Sequence, residues 1–117
     1  MSPGDDRTVI AELKAALAAF NAERDWEQFH RPKDLAVALS VEAAELLELF
    51  LWKGEGEAAD PDKLRQELAD VVITALNLAH RLDIDVAQAV RDKIALNAER
   101  YPIALSKGNA RKYDALE

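Results

Sequence analysis

The stretch Asp60-Pro61-Asp62-Lys63-Leu64-Arg65-Gln66-Glu67-Leu68-Ala69-Asp70-Val71-Val72-Ile73-Thr74-Ala75-Leu76-Asn77-Leu78 decides the fold class. It opens on an aspartate that can cap free amides, followed by proline at the first helical position, where a missing N–H is harmless. Apolar residues then recur with the helical period: Leu64, Leu68, Val71, Ala75 and Leu78 form a core stripe reaching toward Leu82. Beside it, Glu67, Asp70, Thr74 and Asn77 form a polar stripe at three- and four-residue spacing. Every other substantial segment has the same period, and none sustains the alternation of a strand. The class is all-α.

Working outward, a helix is expected over residues 6–23, capped by Asp6 and carrying Ile10, Leu13, Leu17 and Phe20 on one stripe. A short aromatic connection, residues 24–30, leads to Pro32, which starts a helix expected over 32–52. Leu35, Leu39, Glu42, Leu46 and Leu49 lie along one side of it, so that Glu42 falls within an apolar stripe. The linker 53–59 holds Gly54 and Gly56. Beyond the third helix, Asp85 and Gln88 read as a capping box for a fourth that ends near Tyr101 and Pro102. Residues 103–117 form a tail or lid that is basic in its middle. The expected organisation is one domain, residues 1–117, built as a four-helix bundle.

Composition narrows the classes of function. The chain has 117 residues, half of them hydrophobic, and few glycines or prolines, enough to bury a core in one domain. Its formal net charge of −7 argues against sequence-independent binding to a nucleic acid polymer, which needs a basic surface. There is no cysteine, which removes thiolate metal sites, disulfides and cysteine nucleophiles. No apolar run spans a bilayer, and the polar start with Asp5 and Asp6 has no signal-peptide core. A cytoplasmic location without membrane association is expected.

Two carboxylate pairs, Glu42-x-x-Glu45 and Glu67-x-x-Asp70, sit inside these apolar helices. Buried negative charge is costly unless paired or bound to a cation. Residues three apart share a helix face, so each pair can offer oxygens to a common point, and two antiparallel helices would bring all four acids together. Such a donor set suits a hard divalent ion, above all magnesium with manganese as a substitute, and magnesium usually arrives with substrate phosphates. An isolated pair of this kind is usually a solvated face. Here Glu42 is flanked at helical spacing by Leu35, Leu39, Leu46 and Leu49, which favours the metal reading.

Glu42-Ala43-Ala44-Glu45 followed by Gln66-Glu67-Leu68-Ala69-Asp70-Val71 resembles the signature of the all-α, MazG-like nucleoside triphosphate pyrophosphohydrolases. Arg24-Asp25-Trp26-Glu27-Gln28-Phe29-His30, Trp52-Lys53, Asn97 through Tyr101-Pro102, and Arg111-Lys112-Tyr113 resemble the dCTP pyrophosphatase branch. The resemblance covers nearly the whole chain. It implies magnesium-dependent hydrolysis of a nucleoside triphosphate to monophosphate and pyrophosphate, with dCTP or a modified dCTP as substrate and cleansing of the nucleotide pool as its role. It also implies Glu42, Glu45, Glu67 and Asp70 as metal ligands and catalytic residues, Glu45 being favoured to orient water. Lys93 and Asn97 would reach phosphate or sugar oxygens, and Lys107, Arg111 and Lys112 would close over the phosphates. Trp26 and Trp52 would stack on the base, and Tyr101 on the sugar.

Two residues depart from that branch. Leu17 stands where a histidine walls the base pocket, and Thr74 where a tyrosine lies one turn beyond Asp70. Neither removes the metal site, but both bear on base preference. Alone, Trp26 and Trp52 would read as core or interface residues. His30 reads as a structural or hydrogen-bonding residue near the pocket. The apolar end of the second helix, with Leu46, Leu47, Leu49, Phe50 and Leu51, points to a homo-oligomer, a tetramer before a dimer. The alternatives are a pyrophosphohydrolase of broad specificity and a non-catalytic acidic helical module binding a metal or a partner.

Overall fold

Local chemistry sets where each helix begins and ends in the computed structural model, which describes residues 2–57 and 59–116. These contain helices and turns and no strand, as the period of the sequence requires. Met1, Glu117 and Ala58, the last within the expected linker, lie outside the described residues. Helix α1 spans Ile10–Glu23, α2 Pro32–Glu48, α3 Pro61–Arg81, α4 Val86–Arg100 and the single turn α5 Ile103–Ser106. Short 3₁₀ turns occupy Glu27–Phe29 and Tyr113–Ala115.

At the start of α3, Asp60 caps as expected, accepting from the Asp62 amide at 2.9 Å, with Pro61 at the first position. Asp6, in contrast, caps nothing. The Gly4 carbonyl accepts from the Arg7 and Thr8 amides, so these residues close a turn of their own and α1 begins four residues later at Ile10. The second helix also stops short of Trp52: residues 49–52 are turns, and Trp52 itself lies in the left-handed region with φ 64°. A bulky residue there ends helical continuation. Half of the expected capping box forms at α4. Asp85 accepts from the Gln88 amide, but the Gln88 side chain donates forward to Asp92 instead of back to the cap.

Two helix ends share one device. At α1, the Trp26 amide donates to the Asn21 carbonyl and the Asp25 amide to that of Ala22. At α3, Ile84 and Asp83 do the same to Ala79 and His80. This is the Schellman arrangement, with Asp25 (φ 53°) and Asp83 (φ 54°) as the left-handed residues. Aspartate tolerates that conformation better than most side chains, which is why no glycine announces these ends.

The chain divides into two units, residues 1–84 and 85–117. In the first, α2 and α3 form the principal pairing and α1 packs on α3. Both pairings are antiparallel. Arg81 donates to the His30 carbonyl while Glu42 lies near Glu67, and Lys14 donates to the Ile84 carbonyl while Asn21 reaches Asn77. On α2 the inward positions are Leu35, Ala38, Leu39, Glu42, Glu45, Leu46 and Leu49, matching the expected side. On α3 they are Leu64, Glu67, Val71, Thr74 and Leu78, with Leu76 and Ala79 also buried. The expected α3 stripe is thus rotated: Leu68, expected inside, is 52 % exposed, and Ala75 is exposed as well. Glu67 and Thr74 take seam positions between leucine and valine, and the helix turns to bring its polar stripe inward. In the second unit, Tyr101 meets Tyr113 edge-on at 6.2 Å and Arg100 stacks on Tyr113, so the segment after Pro102 is anchored by its own aromatic residue.

Candidate active site

The antiparallel pairing of α2 and α3 sets acids from both helices against one another. One carboxylate oxygen each from Glu42, Glu67 and Asp70 lie within 4.8 Å of one another. Carboxylate oxygens gathered from two helices are the donor set that a hard divalent cation takes. Glu42 Oε2 and Glu67 Oε2 are shielded from solvent and have no hydrogen-bond partner. Buried carboxylate oxygens without donors are the condition a cation relieves. The carboxyl of Glu42 is pushed above its ordinary value, chiefly by burial and next by the charge of Glu45. That of Glu67 is raised by burial, then by the charges of Glu45 and Asp70. The residues present fit a divalent cation held by oxygen.

Three of the four acids expected as ligands therefore converge. Glu45 stands beside Glu42 and Glu67 without joining the tight trio. Glu48 adds a further negative charge near Glu67. Sequence reading passed over Glu48, although Glu42, Glu45 and Glu48 continue one spacing of three.

Farther along α3, Thr74 is buried with its hydroxyl donating to the Asp70 carbonyl at 2.9 Å. One turn beyond, Asn77 accepts from the Asn21 side chain at 3.1 Å across the α1–α3 contact. Above this pair opens a cavity of about 400 Å³ lined by Leu17, Phe20, Trp26, His30 and Ile73. A smaller one of about 190 Å³, lined by Glu27, His80 and Arg81, also meets the same two asparagines and His30. The Schellman turn places Trp26. Its ring meets Phe20 edge-on at 5.6 Å, and Arg24 covers the Phe20 ring at 3.7 Å, leaving a fixed aromatic wall. Of the residues expected around a base, Trp26 lines this cavity and Leu17 shares it, while Trp52 is 99 % exposed and lines neither cavity. His30 borders both cavities, in keeping with a role near the pocket. Asn21 was missed by sequence reading, since an asparagine in the last turns of a helix reads as a surface residue.

The remaining expected residues belong to the second unit. Lys93 and Asn97 are exposed one turn apart on α4, and the Asn97 carbonyl accepts from the Tyr101 amide. Lys107, Arg111 and Lys112 are exposed, and the Arg111 amide donates to the Asn109 side chain. Tyr101 is half-buried against Tyr113.

Comparison with known proteins bears on this geometry. The chain is 46 % identical over 114 residues to dCTP pyrophosphatase 1 of Mus musculus, covering 92 % of this chain and 67 % of that protein. It is 41 % identical to the Homo sapiens protein of the same name over the same shares. A dATP/dGTP diphosphohydrolase of Cyanophage S-2L is 37 % identical over 95 residues, covering 78 % of this chain and 75 % of that protein. In structure, the chain is similar to a pyrophosphatase from Archaeoglobus fulgidus, with TM-score 0.70, 32 % identity, and coverage of 86 % of this chain and 99 % of that one. The profile of the MazG-like family matches residues 37–116, which contain all four expected acids. With this match and these identities, the chain belongs to the MazG-like family.

Proposed function

We propose that the chain, a nucleoside triphosphate pyrophosphohydrolase by its relatives, hydrolyses dCTP or a modified dCTP with magnesium and cleanses the nucleotide pool. The observation that carries the metal reading is the convergence of Glu42, Glu67 and Asp70 oxygens around two solvent-shielded, unpartnered carboxylate atoms. When bound, magnesium would neutralise the phosphate oxygens and the charge developing on the leaving group. Glu42, Glu67 and Asp70 would hold the ion. Glu45, beside the trio, orients the attacking water and accepts its proton. Water oxygen then bonds to the α-phosphorus as the bond from that phosphorus to the bridging oxygen breaks, giving monophosphate and pyrophosphate. Trp26 supplies a face for the base. The exposed cations Lys107, Arg111 and Lys112 and the Lys93–Asn97 pair serve the phosphates and sugar, and Tyr101 the sugar. The protein acts as a homotetramer in which α4 completes a four-helix bundle, and Trp52 reaches a site built with a neighbouring copy.

A second reading, broader base choice, is favoured by the 37 % identity to a protein named for purine substrates. Product chromatography after incubation with magnesium and each of dCTP, 5-methyl-dCTP, dTTP, dUTP, dATP and dGTP separates the two. Monophosphate and pyrophosphate from the cytosine substrates alone support the first, and products from many bases the second. Absence of product from all of them leaves the non-catalytic module. Glu42→Gln and Asp70→Asn should each lower kcat by about a hundredfold or more with the helical spectrum retained.

A further inference from the structure

Resting on that hydrolase reading, we propose that the Asn21–Asn77 amide pair reads the polar edge of the substrate's base and is a specificity-determining element of this chain. Asn21 is only 6 % exposed, and burying an amide is unfavourable unless its hydrogen-bonding groups are used. The hydrogen bond found for the two side chains among the described residues is the one between them, at 3.1 Å. One internal bond between two amides leaves at least one free N–H and one free carbonyl lone pair, whichever way the amides are turned. Both asparagines line the cavity of about 400 Å³, where this leftover donor and acceptor are available to a ligand. Apart from His30, its other walls are apolar or aromatic: Ala16, Leu17, Phe20, Trp26 and Ile73. Flat apolar walls with a donor–acceptor edge fit a heterocycle that offers an acceptor next to a donor. In cytosine these are N3 and the N4 amino group, and an amide bonds to both at once.

Position along α3 supports the assignment. Asn77 lies seven residues beyond Asp70, about 10 Å along the axis. A nucleoside triphosphate needs a separation of that order between its base edge and its α-phosphate. Thr74, between them, turns its hydroxyl onto the Asp70 carbonyl and leaves the interval free of competing polar groups. The backbone carbonyl of Asn21 also accepts the Trp26 amide at 3.0 Å, which places Trp26 beside the pair. One residue therefore sets both the stacking wall and the edge reader.

Asn77→Asp keeps the internal bond, since the Asn21 N–H still finds an oxygen, but removes the Asn77 side-chain N–H groups. The expected result is a fall of about tenfold or more in the ratio of kcat/KM for dCTP to that for dUTP, whose N3–H can now be accepted. The ratio cancels any general effect of the added charge on triphosphates. A double variant, Asn21→Leu with Asn77→Leu, removes both amides in similar volume, which spares the fold the cost of an unpaired partner. With it, the ratios among bases should approach one. The third readout is independent of turnover: the side-chain amide resonances absent from the double variant should shift in the parent protein on adding dCMP. Parent base ratios retained in both variants, with resonances unmoved by dCMP, would overturn the proposal and leave the pair a structural contact. If the parent releases no pyrophosphate from any triphosphate, the hydrolase reading fails, and the dCMP titration alone still decides whether the pair binds a base.

Discussion

At the scale of single residues, the acids set stability against function. The folded-state carboxyls of Glu42 and Glu67 are raised above the ordinary 4.5. The folded protein then holds these protons more tightly than the unfolded chain. Their contribution is most favourable below pH 4.5 and is lost as pH climbs through the raised folded values. In the metal-free protein, Glu42→Gln should therefore melt with the parent at pH 4 and above it at pH 7. Thermal melts in a chelator across that range check this, and a gap that stays constant with pH contradicts it. Magnesium should raise the melting temperature of the parent and do little for the variant. Part of this was legible in sequence, because Glu42 falls within a run of leucines at helical spacing, whereas Glu67 read as part of a polar stripe beside the core. That Glu45 would stand apart from the trio was not legible. Spacing gives the face of a helix, whereas convergence on a point depends on how two helices are rotated against each other.

The elements show where local signals suffice. Asp60 with Pro61 forecast the start of α3, because the cap and the fixed φ act within a few residues. Asp60→Ala should cost about 1 kcal/mol, read by denaturant unfolding. Asp6 offered the same chemistry, and the turn closed by Gly4 claimed that segment first. The ends of α1 and α3 were read correctly in place but not in kind, since an aspartate in the left-handed region carries no signature as plain as glycine. Asp83→Gly should gain about 0.5 kcal/mol by relieving that conformation, with melting temperature as the readout. The α3 stripe was misassigned by one neighbouring row. Leu68 and Ala75 score as core by hydropathy, yet the seam is claimed by Glu67 and Thr74, whose inward placement follows from the site and not from hydrophobic burial.

For the whole molecule, the decisive feature is how little is interior. Leu35, Ala59, Leu76 and Ala79 are the buried apolar residues among those described, and none of the large side chains is fully enclosed. Leu13, Leu47, Phe50, Leu51, Ile73 and Ile94 remain exposed. An apolar surface of this extent is what partner chains cover. Light scattering should give about four times the 13.0 kDa chain mass. Leu47→Glu, on the exposed end of α2, should shift that mass downward and lower the melting temperature together. In the proposed homotetramer, a chain with so thin an interior would draw stability from its neighbours, and folding and association would become a single concentration-dependent event. Dilution would then unfold the protein as well as dissociate it. Turnover per chain would rise with the amount synthesised, making the catalyst a gauge of its own abundance.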